Sequence, residues 1–311
     1  MNILYIILGL ILLVVGGNWL LKSSVGLSLK LNISKIIVGL TVVSFATSAP
    51  EMIVSIKAAL QGFPDIAVGN VVGSNIGNVG LVLGVVLLIN AINIETNFYK
   101  TDWPMKMIAS VLLFFFLMLD GKLSRFEGII FVIILVTFIL LLIKQNKKIE
   151  IDVNDESETD MSYFNIFGLL VLGGFALWLG SELLVDGAVN LAEGLGVSKR
   201  VIAITVVSIG TSVPELASSI IAAIKKESDI SIGNIIGSNI FNILSVLGFT
   251  AIIKPIENVD AKIMSFDIYW LLAFAFILLP MVFLPKRNSL SLREGIILVT
   301  AYVVFIYFTI Q

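Results

Sequence analysis

Long apolar stretches recur along the whole chain, separated by short segments that contain polar residues, glycine or proline. An α-helix needs roughly 20 residues to cross the hydrocarbon core of a bilayer, and ten stretches approach or exceed that length. They cover approximately residues 3–21, 36–60, 66–91, 104–119, 126–144, 163–185, 200–224, 229–253, 266–285 and 293–309. The pattern predicts an all-α membrane protein with ten transmembrane helices.

The two halves of the sequence repeat one another. Residues 41–84 align without a gap with residues 205–248, at an offset of 164, and 24 of the 44 positions are identical. The segment TVVSFATSAPEMIVS matches TVVSIGTSVPELASS, and DIAVGNVVGSN matches DISIGNIIGSN. Each half is predicted to hold five spans, which is an odd number, so the second copy enters the membrane from the opposite side. We therefore predict two inverted five-helix repeats, an arrangement typical of secondary transporters.

The longest hydrophilic stretch lies between the halves and contains EIDVNDESETD, with six carboxylates. A block of like charges is usually solvated, so a linker is favoured over a regulatory cation site. We predict an N-terminal half at residues 1–148 with its repeat at 39–84, an acidic linker at 149–162, and a C-terminal half at 163–311 with its repeat at 203–248.

Composition limits the function. The chain has 311 residues, 58% of them hydrophobic, and its net charge of −2 offers no basic surface for nucleic acid, so the lipid bilayer is its predicted environment. With the N-terminus outside, 13 of the 20 Lys and Arg residues fall on the inner side, which predicts both termini outside and a cytoplasmic linker. The chain has no Cys and no His, which removes most nucleophile and base schemes, and we predict neither an enzyme nor a bound cofactor.

A proline followed by a glutamate stands inside a predicted span of each half, as Pro50-Glu51 and Pro214-Glu215. Proline lacks an N–H, so each pair predicts a helix break that frees a backbone carbonyl four residues earlier, at Ala46 or Gly210. A lone carboxylate at the bilayer centre costs about 2.5 kcal/mol or more and normally faces a cavity or a counter-ion.

An internal ion pair does not explain both glutamates. Lys57 is the basic residue nearest to Glu51 within that span, and the second half has Ile221 at the same position. We therefore expect Glu51 and Glu215 to converge on the pseudo-twofold axis and to bind a hard cation.

Oxygen-bearing side chains flank both glutamates. At helical spacing Ser44, Thr47 or Ser48, and Ser55 share the side of Glu51, and the following span places Asn70, Ser74 and Asn78 four residues apart, repeated as Asn234, Ser238 and Asn242. Each of these could instead bond helix to helix, but as a set they favour a cation lining. Oxygen ligands suit Ca²⁺ and Na⁺. The two carboxylates are neutralised by one Ca²⁺, two Na⁺ or two protons, which favours exchange over uniport.

The motifs TSAPE and TSVPE, each followed by GNVVGSN or GNIIGSN, resemble the two alpha repeats of the cation/calcium exchanger superfamily. Prokaryotic sodium/calcium exchangers are the most similar members. The resemblance implies a secondary active antiporter of the prokaryotic cytoplasmic membrane that moves Ca²⁺ outward against Na⁺ entry. It also implies alternating access by sliding of the first and sixth helices.

The resemblance further implies roles for individual residues. Glu51 and Glu215 would ligate Ca²⁺ and Na⁺, and the carbonyl groups of Thr47 and Thr211 would join the calcium site. The remaining members of the implied set are Ser48, Ser74, Ser212 and Ser238, with the carbonyls of Ser44 and Ser208, for the sodium sites, and Asn78 and Asn242 at the border of the central site.

The ions that this chain couples stay open at this point, because some sodium/calcium members carry aspartate at the position of Asn242. Ca²⁺/H⁺ exchange and K⁺-dependent Na⁺/Ca²⁺ exchange are the alternatives on the same scaffold. A cation channel is the alternative of another class, although a single internal two-fold repeat argues against a pore ringed by several subunits.

Overall fold

The structure, a computed structural model, describes residues 2–145, 161–195, 210–284 and 287–310. Its helices are α1 Asn2–Leu31, α2 Lys35–Leu60, α3 Pro64–Ile89, α4 Phe98–Asp120, α5 Arg125–Gln145, α6 Tyr163–Gly194, α7 Val213–Ile224, α8 Ser228–Ile253, α9 Ile263–Phe283 and α10 Leu292–Ile310. Within these ranges nine helices are long and apolar enough to cross a membrane, and α7 is a shorter apolar helix. The predicted all-α membrane fold is confirmed, and a count of ten helices agrees with it. Residues 149–160 of the predicted linker lie outside the described residues.

Two short backbone pairings join loops from opposite halves. Strand β1, Ile92–Asn93, pairs antiparallel with β2, Ser289–Leu290, so the loop after α3 contacts the loop before α10. Leu123 forms an isolated antiparallel bridge with Ile256, which joins the loop after α4 to the loop after α8. Because successive helices run in opposite directions, these pairings tie the two halves together at both ends of the bundle.

Helices α1 and α6 are longer than their apolar stretches predict. The expected spans end near residues 21 and 185, whereas the helices continue to Leu31 and Gly194. The hydroxyls of Ser23 and Ser24 donate to the carbonyl oxygen of Leu20 at 2.8 and 2.6 Å. The hydroxyls of both serines are thus paired within α1, where this helix extends past its apolar stretch.

Glycines bring the backbones of α1 and α6 into contact. A Cβ atom added to Gly9 would lie 2.8 Å from the carbonyl oxygen of Gly180, and one added to Gly16 would lie 2.9 Å from that of Gly173. Gly9 and Gly173 are equivalent in the two repeats, as are Gly16 and Gly180. Small residues allow membrane helices to approach this closely, so α1 and α6 form one paired unit.

Helices α3 and α8 form the centre of the bundle. Within their most apolar 18-residue windows, 72% and 89% of the residues are buried, against 28% for both α1 and α6. Both central helices contain a wide π-helical segment, at Asn78–Leu83 and Asn242–Leu247. Such segments are frequent at functional sites, and here they begin at the two asparagines that are expected to border the ion site.

The two prolines differ in their effect on the backbone. Pro50 lies inside a continuous α-helix from Ser44 to Leu60, so the helix break expected at that position is wrong. One missing N–H is tolerated in a membrane helix when the flanking backbone bonds remain. In the second half a turn at residues 211–212 precedes α7, and Pro214 lies in the first helical turn, where its N–H is not needed.

The carbonyl expected to be free at Gly210 is also taken by the protein. The Ser181 hydroxyl on α6 donates to it at 2.8 Å. This carbonyl is therefore satisfied by a neighbouring helix rather than left for a cation.

Candidate cation site

Glu51 and Glu215 meet inside the bundle. Glu51 lies in the middle of α2 and Glu215 in the first turn of α7, and both side chains are 0% exposed. The two carboxylates lie close enough to interact electrostatically. Ser48 of α2 also donates a hydrogen bond of 3.5 Å to Oε1 of Glu215, across the boundary between the repeats.

Several buried polar atoms of the candidate residues lack a protein partner. Among the described residues, both carboxylate oxygens of Glu51 and Oε2 of Glu215 accept no hydrogen bond, and both side-chain polar atoms of Asn78 and Asn242 are unpaired as well. Buried polar groups are nearly always paired, because an unpaired one loses its hydration without compensation. A cation would satisfy the unpaired oxygens, so the residues present fit one.

Two equivalent hydroxyl pairs connect the repeats beside the glutamates. Oγ1 of Thr47 on α2 lies 3.3 Å from Oγ of Ser238 on α8, and Oγ1 of Thr211, just before α7, lies 3.3 Å from Oγ of Ser74 on α3. At the offset of 164 residues, Thr47 corresponds to Thr211 and Ser74 corresponds to Ser238, so the two pairs are equivalent in the two repeats. The site therefore has an approximate twofold geometry.

The structure describes every candidate site residue except Ser208, which lies outside the described ranges. Ser44, Ser48 and Ser212 are 0%, 2% and 3% exposed. The candidates come together from four helices, α2, α3, α7 and α8, and the turn before α7: Ser44, Thr47, Ser48, Glu51, Ser74, Asn78, Thr211, Ser212, Glu215, Ser238 and Asn242.

Two residues of the expected oxygen lining use their side chains in hydrogen bonds within the protein. The Ser55 hydroxyl donates to the carbonyl oxygen of Ala67 at 3.3 Å and accepts from Nδ2 of Asn70 at 3.1 Å. Asn234 also uses its carboxamide for hydrogen bonds to protein side chains. Helical spacing placed these residues on the correct face, but neighbouring helices supply their partners first.

Sequence reasoning missed Ser218 and Ser219. Both hydroxyls accept hydrogen bonds from Nδ2 of Asn234, at 2.9 and 3.0 Å. They align with Val54 and Ser55 of the first repeat. The replacement of Val54 by a serine in the second repeat is the sequence signal that could have identified this difference.

The candidate site contains few charges. Across residues 2–145, 161–195, 210–284 and 287–310, no three Asp, Glu, His or Cys side chains form a group that could hold a metal ion. Glu51 and Glu215 are surrounded instead by hydroxyl and amide groups. Two carboxylates with neutral oxygens suit hard, weakly held cations better than transition metals.

The two sides of the site differ in access. Thr47 and Asn234 are each 1% exposed, whereas the equivalent Thr211 and Asn70 are partly exposed. A Cβ atom at Gly237 would overlap the Ser44 hydroxyl, so α2 and α8 pack closely on the buried side. We call the side at Thr47 and Asn234 the closed side, and the side at Thr211 and Asn70 the open side.

Known proteins are similar in sequence to most or nearly all of this chain. The sequence profile described as "Sodium/calcium exchanger protein" matches residues 1–144 and 165–311. The chain is 31% identical over 345 aligned residues to "Sodium/calcium exchanger MaX1" of Methanosarcina acetivorans, covering 98% of this chain and 97% of that protein. It is 36% identical over 264 residues to "Inner membrane protein YrbG" of Escherichia coli, covering 81% of this chain and 80% of that protein.

A solved structure has the same fold. The sodium-calcium exchanger NCX_Mj, soaked with zero Na⁺ and Ca²⁺, superposes with a TM-score of 0.83 at 27% identity, covering 99% of this chain and 98% of that chain. Profile, relatives and fold agree, and the chain belongs to the sodium/calcium exchanger protein family.

Proposed function

We propose that this protein is a secondary active antiporter that exchanges Ca²⁺ for Na⁺ across the membrane by alternating access. One observation carries the proposal: Glu51 and Glu215, from oppositely oriented repeats, are buried side by side with carboxylate oxygens that no described residue satisfies. The names of the relatives, which include a sodium/calcium exchanger, support the same activity.

The charge of the site explains why exchange is favoured. Two ionised glutamates carry a charge of −2, which one Ca²⁺ neutralises and two Na⁺ neutralise equally well. Leaving both carboxylates buried without a cation is costly, because no basic side chain among the described residues forms a salt bridge with either of them. Release of one ion therefore favours entry of the other, which couples the two fluxes.

The neutral oxygens complete the proposed coordination. Glu51 and Glu215 bind both ions, and the carbonyl groups of Thr47 and Thr211 join the calcium site. The sodium sites are proposed to comprise the hydroxyls of Ser48, Ser74, Ser212 and Ser238 with the carbonyls of Ser44 and Ser208. Asn78 and Asn242 border the central position with amide groups that no described residue pairs.

The asymmetry between the repeats supports alternating access. Inverted repeats in transporters adopt two different conformations, and exchanging those conformations opens the site to the other side of the membrane. Here one side of the site is buried and its equivalent is partly exposed. We propose that the paired helices α1 and α6 slide as one unit to exchange the two sides.

We propose the cytoplasmic membrane of a prokaryote as the location, with both termini outside and the acidic linker in the cytoplasm. The excess of Lys and Arg on the inner side supports this orientation. The description of the Escherichia coli relative as an inner membrane protein supports the location. In this orientation the open side of the site faces outward.

Uptake of ⁴⁵Ca²⁺ into proteoliposomes tests the proposal. Vesicles loaded with Na⁺ and diluted into Na⁺-free buffer are expected to accumulate Ca²⁺, and vesicles without a Na⁺ gradient are not. Accumulation that requires added K⁺, or that follows a pH gradient without Na⁺, would assign the K⁺-dependent or H⁺-driven activity instead. Steady Ca²⁺ flux with no counter-ion would indicate a channel and would refute exchange.

A further inference from the structure

The carboxamide of Asn234 connects three helices at the closed side of the site. From α8, its Nδ2 donates to the hydroxyls of Ser218 and Ser219 on α7 at 2.9 and 3.0 Å. Its Oδ1 accepts from Thr47 on α2 at 3.2 Å and from Ser238 on its own helix at 3.4 Å. Every donor and the acceptor oxygen of this side chain are therefore used, although Asn234 itself is not a proposed ion ligand.

The orientation of this amide follows from the network. Ser218 gives its only hydroxyl hydrogen to the carbonyl oxygen of Glu215, at 3.1 Å. It must therefore accept from Asn234, which places Nδ2 toward α7 and Oδ1 toward Thr47. A hydrogen bond from Thr47 to Asn234 thus joins α2 to α8 where no exposed surface remains.

Asn70, the equivalent residue on α3, is also held through its Nδ2 atom, but its Oδ1 lacks the hydrogen bond from a threonine that Asn234 accepts from Thr47. We call that threonine–asparagine hydrogen bond the cross-bond. Nδ2 of Asn70 donates to Ser55 Oγ at 3.1 Å and to the carbonyl oxygen of Glu51 at 3.3 Å. Ser55 uses its own hydrogen for Ala67, so this amide has the same orientation as that of Asn234. In the described part of the chain Oδ1 of Asn70 accepts no hydrogen bond, and Thr211 pairs with Ser74 alone.

Burial follows the cross-bond. Thr47 and Asn234, which share it, are each 1% exposed, whereas Thr211 and Asn70, which do not, are partly exposed. Both asparagines are held at their Nδ2 end by the neighbouring helix of their own repeat, α7 for Asn234 and α2 for Asn70. Among the described residues, the bond from threonine to the asparagine oxygen is present at the closed side and absent at the open side. The Ser44 hydroxyl also donates to the backbone oxygen of Asn234 at 3.0 Å, and the equivalent Ser208 lies outside the described ranges.

We propose that Asn234 and Asn70 are reciprocal latches of the two access pathways. The bond from Thr47 to Asn234 holds its side shut in the present conformation. In the opposite conformation Thr211 donates to Oδ1 of Asn70, and Thr47 releases Asn234. Both asparagines are positioning residues that set which side is open. The inference rests on the proposed exchange function only in requiring that a second conformation exists.

Hydrogen exchange tests the latch without any transport measurement. Asn234→Ala removes the closed latch, and Asn70→Ala is its matched control at the equivalent position. In the full-length protein without Na⁺ or Ca²⁺, Asn234→Ala is expected to speed amide exchange of residues 39–47 and to slow that of residues 211–219. Asn70→Ala shifts the balance in the opposite sense and is expected not to speed exchange of residues 39–47. Faster exchange on both sides in Asn234→Ala would mean general loosening and would overturn the proposal.

Apparent Ca²⁺ affinities measured separately at the two membrane faces provide the second readout. Loss of one buried hydrogen bond is expected to shift the conformational balance about fivefold. Asn234→Ala should therefore weaken Ca²⁺ affinity at the membrane face from which the open side is accessible, and strengthen it at the other face. Asn70→Ala should shift both affinities in the opposite sense. Equal shifts at the two faces would overturn the proposal.

Thr47→Val provides a second variant should Asn234→Ala fail to fold. It removes only the latch hydroxyl and keeps the backbone carbonyl and the side-chain shape, so the same exchange pattern is expected, and an unchanged pattern would overturn the latch. If the wild type shows no Na⁺-driven Ca²⁺ uptake, the proposed function fails, and the hydrogen-exchange result still decides whether the latch exists.

Discussion

Asn75 donates through Nδ2 to the backbone carbonyl oxygen of Asn239 at 3.0 Å, and these two residues occupy the same position in the two repeats. Positions related by a twofold rotation can contact one another only close to the rotation axis. The pseudo-twofold axis therefore passes between α3 and α8, the most buried helices of the described fold. This location explains why one glutamate from each repeat can reach a common site.

Replacing either glutamate with glutamine is expected to abolish transport. Glu51→Gln or Glu215→Gln leaves the site with a charge of −1, too little for Ca²⁺, and losing one partner of a buried charge interaction typically costs 2 kcal/mol or more. We expect Na⁺-driven ⁴⁵Ca²⁺ uptake to fall by about 30-fold or more. Wild-type uptake in either variant would refute the assignment.

Thermal unfolding measures folding and ion binding independently of transport. Glutamine has nearly the shape of glutamate and removes a buried charge, so both variants should fold. Ligand binding to the native state raises the unfolding temperature, and we expect Ca²⁺ to raise it in the wild type but not in the variants. Asp120→Asn, which changes an exposed carboxylate paired with Lys122, serves as the control and should keep the wild-type response.

Asn242→Asp is expected to increase the number of Na⁺ ions that compete with one Ca²⁺ for the site. If residue 242 borders the central site as proposed, a third carboxylate there gives the ionised site a charge of −3, which three Na⁺ neutralise instead of two. The Hill coefficient for Na⁺ inhibition of Ca²⁺ uptake should therefore rise by about one, from the charge balance required of a buried site. Asn242→Ser, which is neutral, should keep the wild-type slope. An unchanged slope in Asn242→Asp would place this residue outside the site.

The sequence predicted those features of the fold that depend on periodic patterns. Apolar stretches locate the spans, because the bilayer imposes a length on them. The offset of 164 residues identifies the repeat and pairs Glu51 with Glu215, and the same pairing brings Thr47 and Thr211 to equivalent hydroxyl contacts. These predictions needed no knowledge of how the helices pack.

The errors arise where a neighbouring helix decides the outcome. Ser55 has the spacing of a site residue, yet the carbonyl of Ala67 on α3 takes its hydroxyl. The carbonyl of Gly210 was expected to be free, but Ser181 of α6 bonds to it. The asymmetry between the open and closed sides could not be predicted, since two repeats with 24 of 44 positions identical adopt different conformations in one chain.

Gly237 tests how closely α2 and α8 pack at the closed side. A Cβ atom there would overlap the Ser44 hydroxyl and lie 2.5 Å from the carbonyl oxygen of Leu40. Overpacking a tight contact costs about 1–3 kcal/mol. Gly237→Ala should therefore lower the unfolding temperature clearly. An unchanged unfolding temperature would contradict this close packing.

Lys106, in the first turns of α4, is a buried cation that the proposed mechanism does not use. Its side chain is 2% exposed, and its Nζ donates to no group among the described residues. An unpaired buried charge is strongly unfavourable, and methionine fills a similar volume without charge. We therefore expect Lys106→Met to raise the free energy of unfolding by about 1 kcal/mol or more, measured by thermal or denaturant unfolding in detergent. Lys144→Met, at the exposed end of α5, should change it little. Destabilisation by Lys106→Met would show instead that the ammonium group has a partner, and that this partner contributes to holding α4 in place.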